Sequence, residues 1–145
     1  MNLPSKEKKF YFDHTNDFGE RYEGYFTIKC RLTCRERQAL ELEKTRLMGG
    51  YDNPTDGLLS LAIILSNLDV KIIDAPEWWK QNGGGRDLDD EDIVGLIFQK
   101  VADIEKQWHE DLVASTAEKI AAAQAIDSDP ESDDPPKSTG EKAKT

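Results

Sequence analysis

Histidine and cysteine are scarce here, two of each among 145 residues, and their scarcity removes whole classes of chemistry. His14 and His109 have no Cys or His partner at ligand spacing, and Cys30 with Cys34 supplies two ligands where a structural zinc needs four. No metal and no cofactor is expected. G-x-S-x-G, Walker and dinucleotide fingerprints are all missing, and the glycines at 83 to 85 lack the Lys-Ser/Thr that would complete a phosphate cradle. Because no acid, base and nucleophile set can be assembled, the chain reads as a non-enzyme.

Long apolar runs are missing too. Nothing approaches the roughly 18 to 20 apolar residues that span a bilayer, and MNLPSKEKKFYF has neither the apolar run nor the cleavage site of a signal peptide. A cytoplasmic location with reduced thiols is therefore expected. Positive charge is in deficit: 19 Lys and Arg face 29 Asp and Glu, a net −10 that repels phosphate backbones and disfavours nucleic acid as a partner. The final stretch, 127–145, holds six acidic and three basic side chains and no large apolar residue, so it cannot offset the entropy of ordering and reads as a disordered acidic tail. That leaves one folded domain over 1–126, its first nine residues expected to be flexible.

What is present is mostly helical, after a short β start. FYF at 10 to 12 and YEGYFTIKC at 22 to 30 are aromatic and β-branched, separated by turn-forming DHTNDFGER, and predict an antiparallel hairpin with Phe26 and Ile28 facing inward. Thr33 and Glu36 form the T-x-x-E capping box of a helix that Gly49 and Gly50 end, with Ala39, Leu40, Leu47 and Met48 buried. Thr55 caps a second helix, apolar almost all round from Leu58 to Leu65, which should lie at the centre of the core. Pro76 ends or breaks it near Leu68 to Ile73, and the three glycines at 83 to 85 read as a hinge. Asp89 is the expected cap of a last helix whose apolar stripe runs Ile93, Ile97, Val101, Ile104, Trp108, Leu112 and which frays through TAEKIAAAQAI. The fold class is α+β, predominantly α-helical: a hairpin packed on three or four helices.

Three groups of residues could act on a partner. Trp78 and Trp79 are adjacent, and neighbouring side chains diverge, so one ring is a candidate for an interface; ordinary packing of both is the competing reading. The stripe residues Ile97, Val101, Ile104, Trp108 and Leu112 could receive an amphipathic helix, or be consumed by the protein's own core. Arg31, Arg35, Arg37, Lys44 and Arg46 form a basic stretch that could meet RNA or an acidic partner, against a solvated helix face with local Glu–Arg pairs. The carboxylates at 87 to 92 do not follow the EF-hand order and read as capping and solvation.

The succession Y-x-G-Y-F-T-I, a charged helix ending in Gly-Gly, an apolar helix, A-P-E-W-W and D-x-D-D-E-D-I resembles the tail assembly chaperones of long-tailed bacteriophages, over about Arg21 to Leu112. The resemblance implies a host-cytoplasmic protein that binds the tape-measure protein, keeps its long helices soluble and helps recruit tail-tube subunits, with no catalytic residues. Only Pro76, Trp78, Trp79 and the stripe of the last helix match the family pattern, and the acidic tail is no part of it. The competing readings are a virion structural protein, such as a minor tail or head–tail connector component, and a small acidic regulatory binding protein. An amphipathic helix and paired Trp are also compatible with a homo-oligomer.

Overall fold

The computed structural model describes residues 3–51 and 53–127, so the tail reading for 128–145 lies outside the described residues. Two compact units are distinguished, Ser5–Trp108 and a second one to which, of the described residues, 3–4 and 109–127 belong.

The Ser5–Trp108 unit begins with β1 (Glu7–Thr15) and β2 (Arg21–Lys29), paired antiparallel with Phe10 opposite Phe26 and Thr15 opposite Arg21. β1 thus starts inside the nine residues expected to be flexible. Its turn is built on Asn16, whose side-chain oxygen accepts from the amides of Phe18 and Glu20 while its own amide bonds the Glu20 carboxylate. Alternation puts Phe10, Phe12, Phe26 and Ile28 on one face; Phe26 and Ile28 are wholly buried, as their spacing predicts. Tyr11 and Tyr25 pair on the opposite, exposed face.

Helix α1 (Cys34–Leu47) carries the reciprocal capping box, Thr33 accepting from the Glu36 amide and Glu36 from the Thr33 amide. Gly49 and Gly50 follow at positive φ and end it. Of its expected core positions only Leu40 is fully buried; Leu47 and Met48 are half-buried and Ala39 faces solvent. Thr55 caps α2 (Asp56–Lys71), which packs against α1.

Two features of the next segment were not expected. Where the sequence suggested a helix end or a break, Ile72–Asp74 forms β3, an edge strand antiparallel to β2, giving a three-stranded sheet in the order β1-β2-β3. α3 (Glu77–Gln81) then starts after Pro76, and the three glycines close a hydrogen-bonded turn rather than a hinge: the Gly84 amide reaches Trp79 O at 3.0 Å and the Gly85 amide reaches Asn82 O at 3.1 Å. Gly85 is buried, at φ 94°, with its backbone against the Trp79 indole.

α4 (Glu91–Asp127) starts one residue later than the expected cap implies: Asp90, not Asp89, accepts from the Asp92 amide, at 3.0 Å. Its buried residues Ile93, Val94, Ile97, Val101 and Trp108 all belong to the Ser5–Trp108 unit, where the Trp108 indole N–H donates to Ser5 O at 2.7 Å. From His109 to Ala125 no residue of the helix is buried. No helix of the described residues is long and apolar enough to cross a membrane.

Candidate functional site

Adjacent side chains on a helix diverge by about 100°, and α3 uses that divergence by placing Phe26 in the angle between its two indoles. The Phe26 ring lies 5.9 Å from Trp78 and 5.6 Å from Trp79, near-perpendicular to both. Trp79 is buried; Trp78 is half-buried, meets Phe12 and Tyr22, and donates its N–H to Glu23 O at 2.8 Å. Both indoles belong to one aromatic cluster that fastens α3 to the sheet; Trp79 is closed within it, while Trp78 keeps part of its ring at the surface.

The α4 stripe is spent in the same way. Ile97, Val101 and Trp108 are closed inside the Ser5–Trp108 core and offer a partner no surface, Ile104 is half-buried, and Leu112, in the other unit, is half-buried as well. The sequence period finds which face is apolar but does not tell whether the chain's own sheet covers it.

The basic stretch is exposed but partly neutralised. Lys44 pairs with Glu41 at 2.8 Å, Arg46 with Glu43 at 2.6 Å, and Lys29 with Glu36, while Arg31, Arg35 and Arg37 face solvent. Glu43 is the busiest of these acids, since Arg86 also reaches it at 2.6 Å and continues to Asp69 on α2. The Arg46 and Arg86 guanidiniums hold the Glu43 carboxyl down at about 2. This network ties α1, α2 and the loop before α4 together. Cys30 is buried, which pushes its thiol up, and Cys34 is exposed; both are free. Among the described residues no group of His, Cys, Asp or Glu is placed to hold a metal.

Single apolar side chains are exposed at several places, Phe18 in the β1–β2 turn and Leu42 on α1 among them, and a row of partly covered ones lies on α2. Its buried residues, Ala62, Leu65, Ser66 and Leu68, occupy one side and one end; Leu58, Leu61 and Ile64 are only half-buried and Leu59 is 37% exposed. The helix expected at the centre of the core is therefore at its margin. Leu58, Leu61 and Ile64 face Val94 across a groove of about 510 Å³, with Gly57 and Gly95 in its walls and Glu91 and Asp92 on its rim. A second depression, of about 460 Å³, flanks the other side of α4's first turn, where Gly95, Leu96 and the same acids meet His14, Asn16 and Asp17. Leu96, between them, is 43% exposed. Sequence reasoning missed this site because it assigned the apolar run of α2 to the interior. The available signal was a glycine inside the last helix, Gly95, and another in the first turn of α2, Gly57.

No family model, curated protein or solved structure matches the chain.

Proposed function

We propose that this chain is a tail assembly chaperone of a long-tailed bacteriophage, acting in the host cytoplasm by binding protein segments and catalysing nothing. The observation that carries the reading is the partly uncovered apolar side of α2, in a chain of net charge −10. A protein that keeps another chain's helices soluble needs apolar surface open to a partner and enough like charge to prevent its own association. The order of segments in the resemblance supports the same reading, because Y-x-G-Y-F-T-I is β2, the Gly-Gly end is that of α1, and A-P-E-W-W leads into α3. In this role the chain holds the tape-measure protein before and during assembly and helps bring tail-tube subunits to it.

Co-expression with the tape-measure product of the same genome, followed by pull-down, tests the role. Retention of that product is expected, together with absence of the chain from purified particles by mass spectrometry. Stoichiometric presence in mature virions would instead make it a structural component.

A further inference from the structure

We propose that the groove between α2 and the first turns of α4 seats a basic amphipathic helix. The inference rests on the protein-binding role above and names the chemistry of the segment bound there.

The floor is apolar and incompletely covered: Leu58, Leu61 and Ile64 recur in steps of three along α2 and oppose Val94. The walls are unusually low. A glycine inside a helix costs about 1 kcal/mol relative to alanine, and Gly95 sits in the second turn of α4 without serving any internal contact, since a Cβ there would meet nothing within 4 Å. Gly57, in the first turn of α2, likewise leaves open space where a Cβ would stand. The missing side chains leave room for a backbone that approaches from outside, as close helix packing requires.

The rim selects the sign of the occupant. Capping uses one carboxylate, Asp90, whose oxygen accepts the Asp92 amide. Glu91 and Asp92 are exposed, and among the described residues neither they nor Asp87 and Asp89 enter an ion pair. The surplus negative potential is felt nearby: the Tyr22 phenol is pushed up first by burial and then by the carboxylates of Glu20, Asp89 and Asp90. An acidic segment is repelled here and a basic one attracted. A helix with Leu-like anchors at i, i+4, i+7 and Lys or Arg beside them satisfies floor, walls and rim together.

The test uses a labelled synthetic helical peptide with Leu at i, i+4 and i+7 flanked by Lys, and the same peptide with Glu for Lys, titrated with the full chain by fluorescence anisotropy. The Lys peptide is expected to bind, and the Glu peptide at least about tenfold more weakly. Gly95→Leu fills the groove without altering charge and should weaken the Lys peptide about tenfold or more, with the circular-dichroism melt unchanged or raised because Leu is the better helix former. Leu61→Asp, on a half-buried site, is the second variant and should act in the same direction. Equal binding of the two peptides, no binding of either, or wild-type affinity in both variants overturns the proposal. So does a dimer of the free chain that Gly95→Leu dissolves, which assigns the groove to a second copy. A tape-measure product retained equally by wild type and Gly95→Leu overturns the groove and leaves the chaperone role standing. If wild type retains none, the role fails while the peptide pair still judges the groove.

Discussion

Trp79 is the buried indole of the aromatic cluster. It touches Phe26 at 5.6 Å and Trp78 at 6.1 Å, and its ring edge lies under the backbone of Gly85. Truncation of a buried tryptophan costs roughly 3 to 5 kcal/mol, so Trp79→Ala should lower the urea midpoint far more than Trp78→Phe. The latter keeps an aromatic ring and loses chiefly the hydrogen bond to Glu23 O, worth about 1 kcal/mol. Gly85→Ala should resemble the larger lesion. Its Cβ would stand 2.7 Å from Trp79 Cη2, at a φ of 94° that side chains resist, and a loss of roughly 2 to 3 kcal/mol is expected by urea unfolding. Gly24 is a similar case in β2, where a Cβ would overlap the Pro76 ring, 2.8 Å from its Cβ. Gly85 and the Trp79 indole, and Gly24 and the Pro76 ring, explain each other: backbone comes so close to each ring that no Cβ fits between.

Among the elements, α1, α2 and the loop before α4 are joined by charge as well as by packing. Glu43 accepts from both Arg46 and Arg86; its own side chain is 18% exposed and that of Arg86 29%, so solvent screens the Arg86 pair less than the pair with the largely exposed Arg46. The folded-state value near 2 lies below the ordinary 4.5, which makes the stabilisation complete above about 4.5 and lost as the pH falls through about 2. Glu43→Gln should therefore cost about 2 kcal/mol at neutral pH, and the gap between variant and wild type in urea midpoint should narrow steadily from pH 4.5 downward. A gap that stays constant to pH 2 would contradict the pairing. The Glu43–Arg46 pair is one of the local Glu–Arg pairs that the spacing predicts, but nothing in the sequence announced the Arg86 arm, because Arg86 and Glu43 are joined only by the fold. The legible parts were local. The capping box of Thr33 and Glu36 and the inward face of Phe26 and Ile28 follow from spacing over a few residues. β3 was illegible because three residues, Ile72–Asp74, carry no period of their own and become a strand only by pairing with Thr27 and Ile28 of β2. The candidate groove was hidden for a related reason: an apolar run looks the same in sequence whether neighbouring elements cover all of it or leave Leu58, Leu61 and Ile64 half-open.

At the scale of the whole molecule, stability is distributed unevenly along the chain. Every fully buried side chain of the described residues falls within Ser5–Trp108, whereas no residue from His109 to Ala125 is buried. An isolated helical stretch of that length is marginal in water even when its sequence favours helix, because tertiary packing supplies most helical stability. Opening of α4 beyond Trp108 should thus be far less costly than opening of the Ser5–Trp108 unit, and proteolysis samples that difference directly. Lys119 lies in the exposed stretch. Lys71 is held to Glu105 at 2.9 Å and Arg86 to Glu43 at 2.6 Å, inside the compact unit. Limited trypsin digestion followed by mass spectrometry should cut after Lys119 well before Lys71 or Arg86, and Trp79→Ala should speed the cuts at Lys71 and Arg86 while leaving the rate at Lys119 unchanged. Simultaneous cleavage at all three sites in the wild-type protein would mean that the helix beyond Trp108 and the compact unit open together as one cooperative body.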